Sequence, residues 1–266
     1  MTKAALSPLA VVTGASSGIG FELAKKFADN GYDLAIVAEN QDKLQAAAAT
    51  LSALESQPGL DVIAADLSTA EGVRLVYKAL KALGRPIDVL AANAGVGVSG
   101  NFANESSLDE ELRLIQLNVT SQVHLIKLVL FDMVERGSGH VLITSSIAGL
   151  MPGPRMAVYA ASKAFLHSFG QAIRSELEDS GVNVTVLMPG PTDTEFFERA
   201  DMLDTKVAQA GKQDPAEVAD AAFAALRKRD DHVVPGLKNK LQAGIARLMS
   251  DETRAKVHAS RIKPEH

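Results

Sequence analysis

Short apolar runs alternate with longer stretches of helical spacing along the chain. The apolar runs fall at residues 9–12, 34–38, 60–64, 87–92, 140–144, 182–188 and 232–234. Helical stretches fall between them, at residues 20–30, 42–56, 69–83, 107–136, 154–179 and 215–229. Several of the runs are apolar at every position, which is typical of parallel strands that helices cover on both faces.

This order of elements predicts the fold class. Strands that alternate with helices favour a doubly wound, Rossmann-like α/β fold, in which right-handed crossovers join about seven parallel strands. No break in composition and no flexible linker divides residues 1–266, so we predict a single domain.

Composition and charge exclude several classes of protein. The 266 residues contain no cysteine, which excludes a disulfide scaffold, a thiol nucleophile and a cysteine-ligated metal. The net charge of −5 offers no basic field for nucleic acid. No apolar run approaches the ~18 residues of a membrane span, and the chain start lacks a signal-peptide core, so we expect a cytoplasmic protein. The six histidines show no ligand spacing, and we predict no metal site.

A glycine-rich turn joins the first predicted strand to the first predicted helix. Gly14 permits the tight turn, Gly18 allows a pyrophosphate to approach the backbone, and Gly20 allows close packing of helix and strand. The free N–H groups of the helix N-terminus attract phosphates, and Ser16 and Ser17 add hydroxyl donors. In this strand–turn–helix context, the turn predicts nucleotide binding.

Glu39, at the end of the second predicted strand, bears on the choice of nucleotide. Its carboxylate can accept hydrogen bonds from the adenosine ribose of NAD and would repel the 2′-phosphate of NADP. The alternative is a solvated carboxylate at a strand end. Lys43, one helical turn further on, is the nearby cation that argues for NADP. The balance favours NAD.

A second group of residues suits proton transfer. Tyr159 and Lys163 stand at positions i and i+4, so a helix places both on one face, where an ammonium lowers the pKa of a phenol. Ser146 ends the fifth strand and can donate to a substrate carbonyl, whereas Asn118 interrupts a helical stretch. Each has a plainer interpretation: a surface pair, a satisfied strand end and a solvent-facing amide.

Taken together, these residues resemble the short-chain dehydrogenase/reductase family. The matching stretches occur in the family's order between residues 9 and 234. They are residues 13–20, Asp66-Leu67, Asn93-Ala94-Gly95, Asn118-Val119, residues 143–149, Tyr159-Ala160-Ala161-Ser162-Lys163 and Pro189-Gly190. The resemblance implies an NAD(P)-dependent oxidoreductase that transfers hydride between nicotinamide C4 and an alcohol or ketone carbon.

The resemblance also implies roles for individual residues. Tyr159 matches the general acid/base, and Lys163 matches the residue that lowers its pKa and holds the nicotinamide ribose. Ser146, rather than Ser145, matches the substrate-positioning serine, and Asn118 matches the residue that holds a water in the proton relay. Asp66 is implied to contact adenine, Asn93 to border the adenosine ribose and brace the sheet, and Thr194 to contact the nicotinamide carboxamide. The implied cofactor-binding set is Gly14, Ser16, Ser17, Gly18, Ile19, Gly20, Glu39, Asp66, Leu67, Asn93, Ala94, Gly95, Tyr159, Lys163, Pro189, Gly190, Thr192 and Thr194.

The chain departs from the family pattern in four places. Ser17 stands where NADP-using members commonly carry a basic residue, and Glu39 where many carry arginine. Ala38 is not the aspartate that NAD-using members often have, and Ala92 replaces an asparagine that braces the sheet. On balance, we expect NAD(H) to be favoured over NADP(H).

Two segments bear on substrate and partners. The resemblance places a substrate lid at residues 191–211. Seven apolar side chains in and near this segment have two interpretations: they line a pocket for an apolar alcohol or ketone, or they pack on the core. These side chains are Phe196, Phe197, Met202, Leu203, Val96, Leu150 and Met151. Residues 236–266 form a basic extension with leucine and isoleucine at 237, 241, 245 and 248, which suits a membrane-surface or partner helix, or a cover on the core or a subunit interface.

Oligomerisation is implied by the resemblance alone. Relatives pair through the helices that correspond to residues 107–136 and 156–179, which predicts a homodimer or homotetramer. Phe165, Phe169 and Ile173 recur at helical spacing and suit either core or interface. Two other classes remain as alternatives: a non-catalytic dinucleotide-binding sensor or scaffold, and a methyltransferase that uses the same turn. The complete set of Asn118, Ser146, Tyr159 and Lys163 favours the oxidoreductase.

Overall fold

A computed structural model describes residues 7–262 and contains one sheet of seven parallel strands. The strands are β1 (Leu9–Thr13), β2 (Asp33–Ala38), β3 (Leu60–Ala64), β4 (Val89–Ala92), β5 (Gly139–Thr144), β6 (Val182–Leu187) and β7 (His232–Val233). Their order across the sheet is β3-β2-β1-β4-β5-β6-β7. The predicted doubly wound α/β fold is therefore confirmed.

Helices cover both faces of the sheet. They are α1 (Gly18–Ala28), α2 (Gln41–Ser52), α3 (Ala70–Ala82), α4 (Leu108–Ile115), α5 (Ser121–Arg136), α6 (Ala157–Glu176), α7 (Phe196–Arg199), α8 (Lys206–Gln209), α9 (Pro215–Lys228), α10 (Leu237–Leu248) and α11 (Asp251–Ile262). One apolar cluster joins α1, α2 and α9 to the sheet, and a second joins α3, α5 and α6 to it. Strands β1 and β4 are buried at every position, and β2, β5 and β6 at all but one, so most of their residues are apolar.

The helix ends follow from local capping. The side chains of Asn40 and Thr69 accept the backbone N–H groups of Lys43 and Gly72, which begins α2 and α3. At α9, Asp214 caps the first turn and Pro215 occupies a position where no N–H is needed.

The predicted helix at residues 107–136 is not continuous. A π-helical segment, Gln116–Thr120, separates α4 from α5. Helix α6 begins at Ala157 rather than at residue 154. Helix α1 begins at Gly18 rather than at residue 20, directly after Ser17, whose backbone is fully extended. Counted together with the π-helical segment, residues 108–136 are the one helical stretch in the described part of the chain that is long and apolar enough to cross a membrane. Its second half, α5, packs on the sheet.

The topology brings several loops to one edge of the sheet. The chain adds β2 and β3 on one side of β1, then returns to place β4 on its other side. The carboxyl ends of β1 and β4 therefore meet at a switch point, where ligands bind in open α/β sheets. The loops after β5 and β6 end at the same edge because all strands are parallel.

The predicted apolar stripe on α10 does not face the core of the chain. On α10, Asn239 and Ala243 are buried, whereas Leu237, Leu241 and Ile245 face solvent, with Leu237 84% exposed. The interpretation of this stripe as a cover for the protein's own core is therefore wrong for these three residues. The side chain of residue 248 lies outside the described part, as do residues 263–266 of the extension.

Candidate active site

The glycine-rich turn has the geometry that the sequence predicts. Gly14 and Gly18 have φ angles of +67° and +56°, in the left-handed region that favours glycine. A Cβ on Gly20 would lie 2.1 Å from the carbonyl oxygen of Gly14, so no side chain fits there. The turn therefore places the N-terminus of α1 close beneath the carboxyl edge of the sheet.

Asn93 braces β1 against β4 beside this turn. Its backbone N–H donates to the Thr13 hydroxyl at 2.9 Å, and its Nδ2 donates to the Thr13 carbonyl at 3.2 Å. The N–H of Ala94 donates to the same hydroxyl at 3.0 Å. The structure thus gives Asn93 the bracing role that the resemblance implies. The matching role of Thr13 was missed, because a buried strand threonine carries no distinctive signal.

Asn118 lies in the π-helical segment and is fully buried. Its Oδ1 accepts the N–H of Val96 at 2.9 Å, and its Nδ2 donates to the Val96 carbonyl at 2.9 Å and to Ser162 Oγ at 3.2 Å. The plainer interpretation of a solvent-facing amide is wrong. Single π-helical turns inside α-helices occur frequently at functional sites.

Two serines after β5 have different roles. Ser145 donates to the carbonyl oxygen of Lys163 at 2.6 Å and so ties β5 to α6. Ser146 Oγ faces the cleft, accepts the N–H of Ala148 at 3.1 Å and donates to the Pro189 carbonyl at 3.3 Å. Both serines line the cleft, but the Ser145 hydroxyl donates to Lys163, and the substrate-positioning role of Ser146 stays a prediction.

Tyr159 and Lys163 share one face of α6. The Lys163 ammonium lies 5.7 Å from the centroid of the Tyr159 ring and donates to the Thr144 carbonyl at 2.9 Å. A Cβ on Gly95 would lie 3.4 Å from that ammonium and 3.1 Å from Asn118 Oδ1. The absence of a side chain at Gly95 thus keeps a narrow space open between the lysine and the asparagine.

The electrostatics of this pair differ from the expectation. Burial raises the pKa of Tyr159 to about 12, and a hydrogen bond with Ser146 lowers it by less. Burial lowers the pKa of Lys163 to about 8. The predicted lowering of the tyrosine pKa by the lysine is not found in this structure, because desolvation of the phenolate outweighs the attraction of a cation almost 6 Å from the ring.

One cleft of about 470 Å³ gathers the predicted residues at the carboxyl edge of the sheet. Every residue of the implied cofactor-binding set lines it, as does Ser146. Asn118 is the exception and lies behind Val96, to which it is bonded. Among the residues that the structure describes, no three histidine or acidic side chains are grouped to hold a metal ion.

At one end of the cleft, Glu39 is engaged by a residue that the sequence reasoning missed. Nη2 of Arg113, on α4, lies 2.8 Å from both carboxylate oxygens of Glu39 and 3.9 Å from Asp66 Oδ2. The carboxyl group of Asp66 also accepts the N–H and the hydroxyl of Ser68. Burial alone would raise the pKa of Asp66, but the bonds from Ser68 outweigh it and hold that pKa below its usual value.

Residues 191–211 cross the mouth of the cleft. Two charged side chains of this segment form hydrogen bonds to α2 and to the glycine-rich turn. The Glu195 carboxylate accepts Lys43 Nζ at 2.9 and 3.1 Å and is hydrogen-bonded to Arg199. Arg199 Nη2 also donates to Ser17 Oγ at 3.2 Å. Hydrogen bonds from Arg199 and then Lys43 lower the pKa of Glu195 to about 2. The sequence did not indicate either role, because 152 residues separate Lys43 from Glu195.

The other end of the cleft is apolar. Of the predicted apolar side chains, Phe196, Phe197, Met202, Val96 and Met151 line it. Leu203 and Leu150 do not: Leu203 is 60% exposed, and Leu150 packs in a separate cluster beside Ile147. Leu150 thus follows the alternative of core packing, whereas Leu203 fits neither alternative.

The C-terminal helices complete this apolar end. Gln242 of α10 and both His258 and Ile262 of α11 line the cleft. Ile262 is buried in one apolar cluster with Met156 and Phe197. The basic extension therefore packs against the candidate site, a placement that its charge and leucine spacing did not predict.

Comparisons with known proteins agree with this geometry. A profile of the short chain dehydrogenase family matches residues 8–203. The chain is 34% identical over 245 residues to the ketoacyl reductase HetN of Nostoc sp., covering 90% of this chain and 82% of that protein.

Two solved structures are similar over nearly the whole chain. A short-chain dehydrogenase from Sphingobium yanoikuyae in complex with NADPH is 33% identical, with a TM-score of 0.80, covering 92% of this chain and 96% of that one. The bulky-bulky ketone specific alcohol dehydrogenase from Comamonas testosteroni is 30% identical, with a TM-score of 0.75, covering 92% and 94%. The profile match and these relatives show that the chain belongs to the short chain dehydrogenase family of oxidoreductases.

Proposed function

We propose that this protein transfers hydride between C4 of a nicotinamide dinucleotide and the alcohol or ketone carbon of a small apolar substrate. The observation that carries the proposal is the shared cleft, which runs from the glycine turn to Ser146, Tyr159 and Lys163. A dinucleotide phosphate site and a proton-transfer pair thus face one space, which a scaffold protein would not need.

The residues present fit a dinucleotide. The left-handed glycines leave the backbone of the turn open to a pyrophosphate, and the first turn of α1 offers unpaired N–H groups there. Glu39 and Asp66 line the adenosine end, and Gly95 leaves room beside Lys163 at the nicotinamide end. The NADPH complex of the Sphingobium yanoikuyae relative supports the same class of cofactor.

The bound cofactor would supply or accept the hydride, and the protein's own residues would handle the proton. Tyr159 donates its phenol proton to the substrate oxygen during reduction and takes it back during oxidation. Ser146 donates a hydrogen bond to the same oxygen and stabilises its developing charge. Lys163 would hold the nicotinamide ribose, and Asn118, as the resemblance implies, would hold a water that returns the proton to solvent.

The raised pKa of Tyr159 suits a proton donor, which is the role that carbonyl reduction requires of it. With a pKa of about 12, Tyr159 is protonated at neutral pH and ready to donate. With a pKa of about 8, Lys163 is mostly an ammonium there. Oxidation of an alcohol would first require the phenolate, which the buried position disfavours.

The substrate end supports an apolar ketone or alcohol. Phe196, Phe197 and Met202 line it from residues 191–211, which we propose act as the substrate lid, and Ile262 lines it from α11. Two relatives, a ketoacyl reductase and an alcohol dehydrogenase specific for bulky-bulky ketones, act on carbonyl compounds according to their names.

We further propose that NAD(H) is favoured over NADP(H). Glu39 lines the adenosine end, and its carboxylate can accept the ribose hydroxyls. The ion pair with Arg113 holds this carboxylate in place, although it also offsets part of its charge. Glu39 therefore supports NAD by hydrogen bonding more than by repulsion.

Replacement of Tyr159 by phenylalanine tests the proposed chemistry. We expect Tyr159→Phe to lose at least ~1,000-fold of its turnover of ketones with NADH, because the proton donor is removed. Dinucleotide affinity, measured by enhancement of nicotinamide fluorescence, should stay within a few-fold. The chain has no tryptophan, which keeps the protein background low.

Tyr77→Phe is the matched control, since Tyr77 bonds Asp132 and lies outside the cleft. It should retain full turnover. If Tyr159→Phe turned over like the wild type, the assignment of the acid/base would be wrong. If the wild-type protein bound neither NADH nor NADPH, the protein would not be a nicotinamide-dependent enzyme.

A further inference from the structure

Two cations meet one carboxylate at the mouth of the cleft. Glu195 accepts hydrogen bonds from Lys43, on the first turn of α2, and from Arg199, at the end of α7. All three side chains line the cleft, and they join residues 191–211 to α2 across it. The group is therefore part of the ligand-binding surface, and it is not a remote surface pair.

The position of the group identifies what it faces. Arg199 donates to Ser17, the residue directly before the second glycine of the phosphate-binding turn. Lys43 donates its backbone N–H to Asn40, the residue directly after Glu39. In a doubly wound sheet, the adenosine ribose lies between the glycine turn and the acidic residue at the end of β2. The two cations thus flank the place of the ribose 2′-substituent.

The chemistry of the group matches a phosphate site. An arginine, a lysine and a serine hydroxyl are the donors that proteins use for phosphate groups. In this structure a carboxylate occupies these donors. Its pKa of about 2 keeps it anionic at any working pH, because Arg199 and Lys43 both bond the charged form.

We propose that Glu195 is a specificity-determining residue, whose carboxylate fills a latent 2′-phosphate site formed by Lys43, Arg199 and Ser17 and thereby selects NAD(H) against NADP(H). This inference rests on the proposed dinucleotide-dependent function. The neutral 2′-hydroxyl of NAD leaves the ion pairs intact, whereas a 2′-phosphate must displace the carboxylate or lie beside it. Either outcome costs affinity for NADP(H) alone.

Glu39 is a weaker source of the same selectivity. Arg113 already contacts both oxygens of its carboxylate, and the Glu39 side chain is 58% exposed. Unlike Lys43 and Arg199, Arg113 does not line the cleft, so removal of the Glu39 charge releases no cation into the proposed 2′-phosphate site. We therefore expect Glu195→Gln to change the preference between cofactors more than Glu39→Gln does.

Fluorescence titrations with NADH and with NADPH test the inference on the full chain. Glu195→Gln should tighten NADPH binding at least ~10-fold, because Lys43 and Arg199 are released, and leave NADH binding within about threefold. Adding Lys43→Met to Glu195→Gln should reverse most of the gain. Glu195→Asp, which keeps the charge, should tighten NADPH binding less than Glu195→Gln does.

Glu105→Gln is the matched control. Glu105 also forms an ion pair with an arginine, Arg155, but both residues lie outside the cleft, so the ratio of the two affinities should not change. If Glu195→Gln left the ratio of the NADH and NADPH affinities unchanged, the inference would be wrong, even if both affinities fell together. A wild-type protein that prefers NADPH would also overturn it. Binding of neither dinucleotide by the wild type would instead contradict the proposed function.

Discussion

At the residue scale, Lys163 shows how the site is built at the expense of stability. It is almost fully buried between β5 and α6, and its ammonium is hydrogen-bonded to the carbonyl oxygen of Thr144. Burial lowers its pKa to about 8, which means that the folded protein holds the charged form less favourably than the unfolded chain does. A buried cation that destabilises the fold is expected where function requires it.

We therefore expect Lys163→Met to increase the free energy of unfolding at pH 7 by about 1 to 3 kcal/mol while turnover is lost. Below about pH 8 the lysine is charged in both states, so the gain is fully present. Between pH 8 and 10.5 only the unfolded wild type keeps the proton, so wild-type stability rises with pH and the gain shrinks. Urea unfolding at pH 7 and pH 9.5 measures both values.

The control is Lys81→Met, because Lys81 lies on the surface with Asp132. It should change stability by less than about 0.5 kcal/mol. A Lys163→Met variant less stable than the wild type at pH 7 would show that the hydrogen bond to Thr144 outweighs the cost of burying the ammonium.

At the scale of elements, the strands and the glycine turn were predictable, and one long helix was not. Once helices flank them, the apolar runs of β1, β2 and β5 are interpreted as buried parallel strands. The break between α4 and α5 at Asn118 is different. Asparagine is a poor helix former, which flagged the position, but a π-helical turn depends on the bonds of Asn118 to Val96 and Ser162 on other elements.

The start of α1 supports a prediction about Gly20. We expect Gly20→Ala to destabilise the protein by about 2 kcal/mol and to weaken dinucleotide binding at least ~10-fold, because its Cβ would meet the Gly14 carbonyl at 2.1 Å and displace the phosphate-binding turn. Thermal unfolding and the NADH titration measure the two effects.

A second helical glycine provides the control. Gly244, on α10, has open space around the position of a Cβ, so Gly244→Ala should stabilise the protein by about 0.5–1 kcal/mol and leave NADH binding unchanged. Equal behaviour of the two variants would mean that close packing at Gly20 does not shape the turn.

At the scale of the whole molecule, the exposed apolar side chains concentrate on a few helices. On α4, α5 and α6 they are Leu108, Leu112, Ile115, Phe131, Val134 and Phe165. Phe165 also stacks on Phe169, which packs against the core together with Ile173. Large exposed apolar surfaces mark interaction sites. These side chains offer a surface for the predicted homodimer or homotetramer. The oligomer stays a prediction, as does the cytoplasmic location.

We expect Phe131→Glu to shift the protein from an oligomer to smaller species, because Phe131 is 71% exposed and an interface would bury the new charge. Light scattering coupled to gel filtration gives the mass. Leu75→Glu is the control, since Leu75 is a half-exposed leucine on α3, outside the helices that are predicted to pair and outside the stripe on α10. A monomeric wild type would contradict the prediction.

The sequence by itself determined the seven-stranded α/β fold, the glycine turn and the pair of Tyr159 and Lys163. Each of these depends on spacing within one or two neighbouring elements, which periodicity and backbone conformation make visible. Tertiary structure alone decided that Arg113 holds Glu39, that Glu195 bridges Lys43 and Arg199, and that α11 closes the apolar end of the cleft. The first two contacts join residues 74 and 152 positions apart, and such contacts form only when the sheet brings separate loops to one edge. The pKa of Tyr159 belongs to this second group, because burial sets it and spacing along the helix does not.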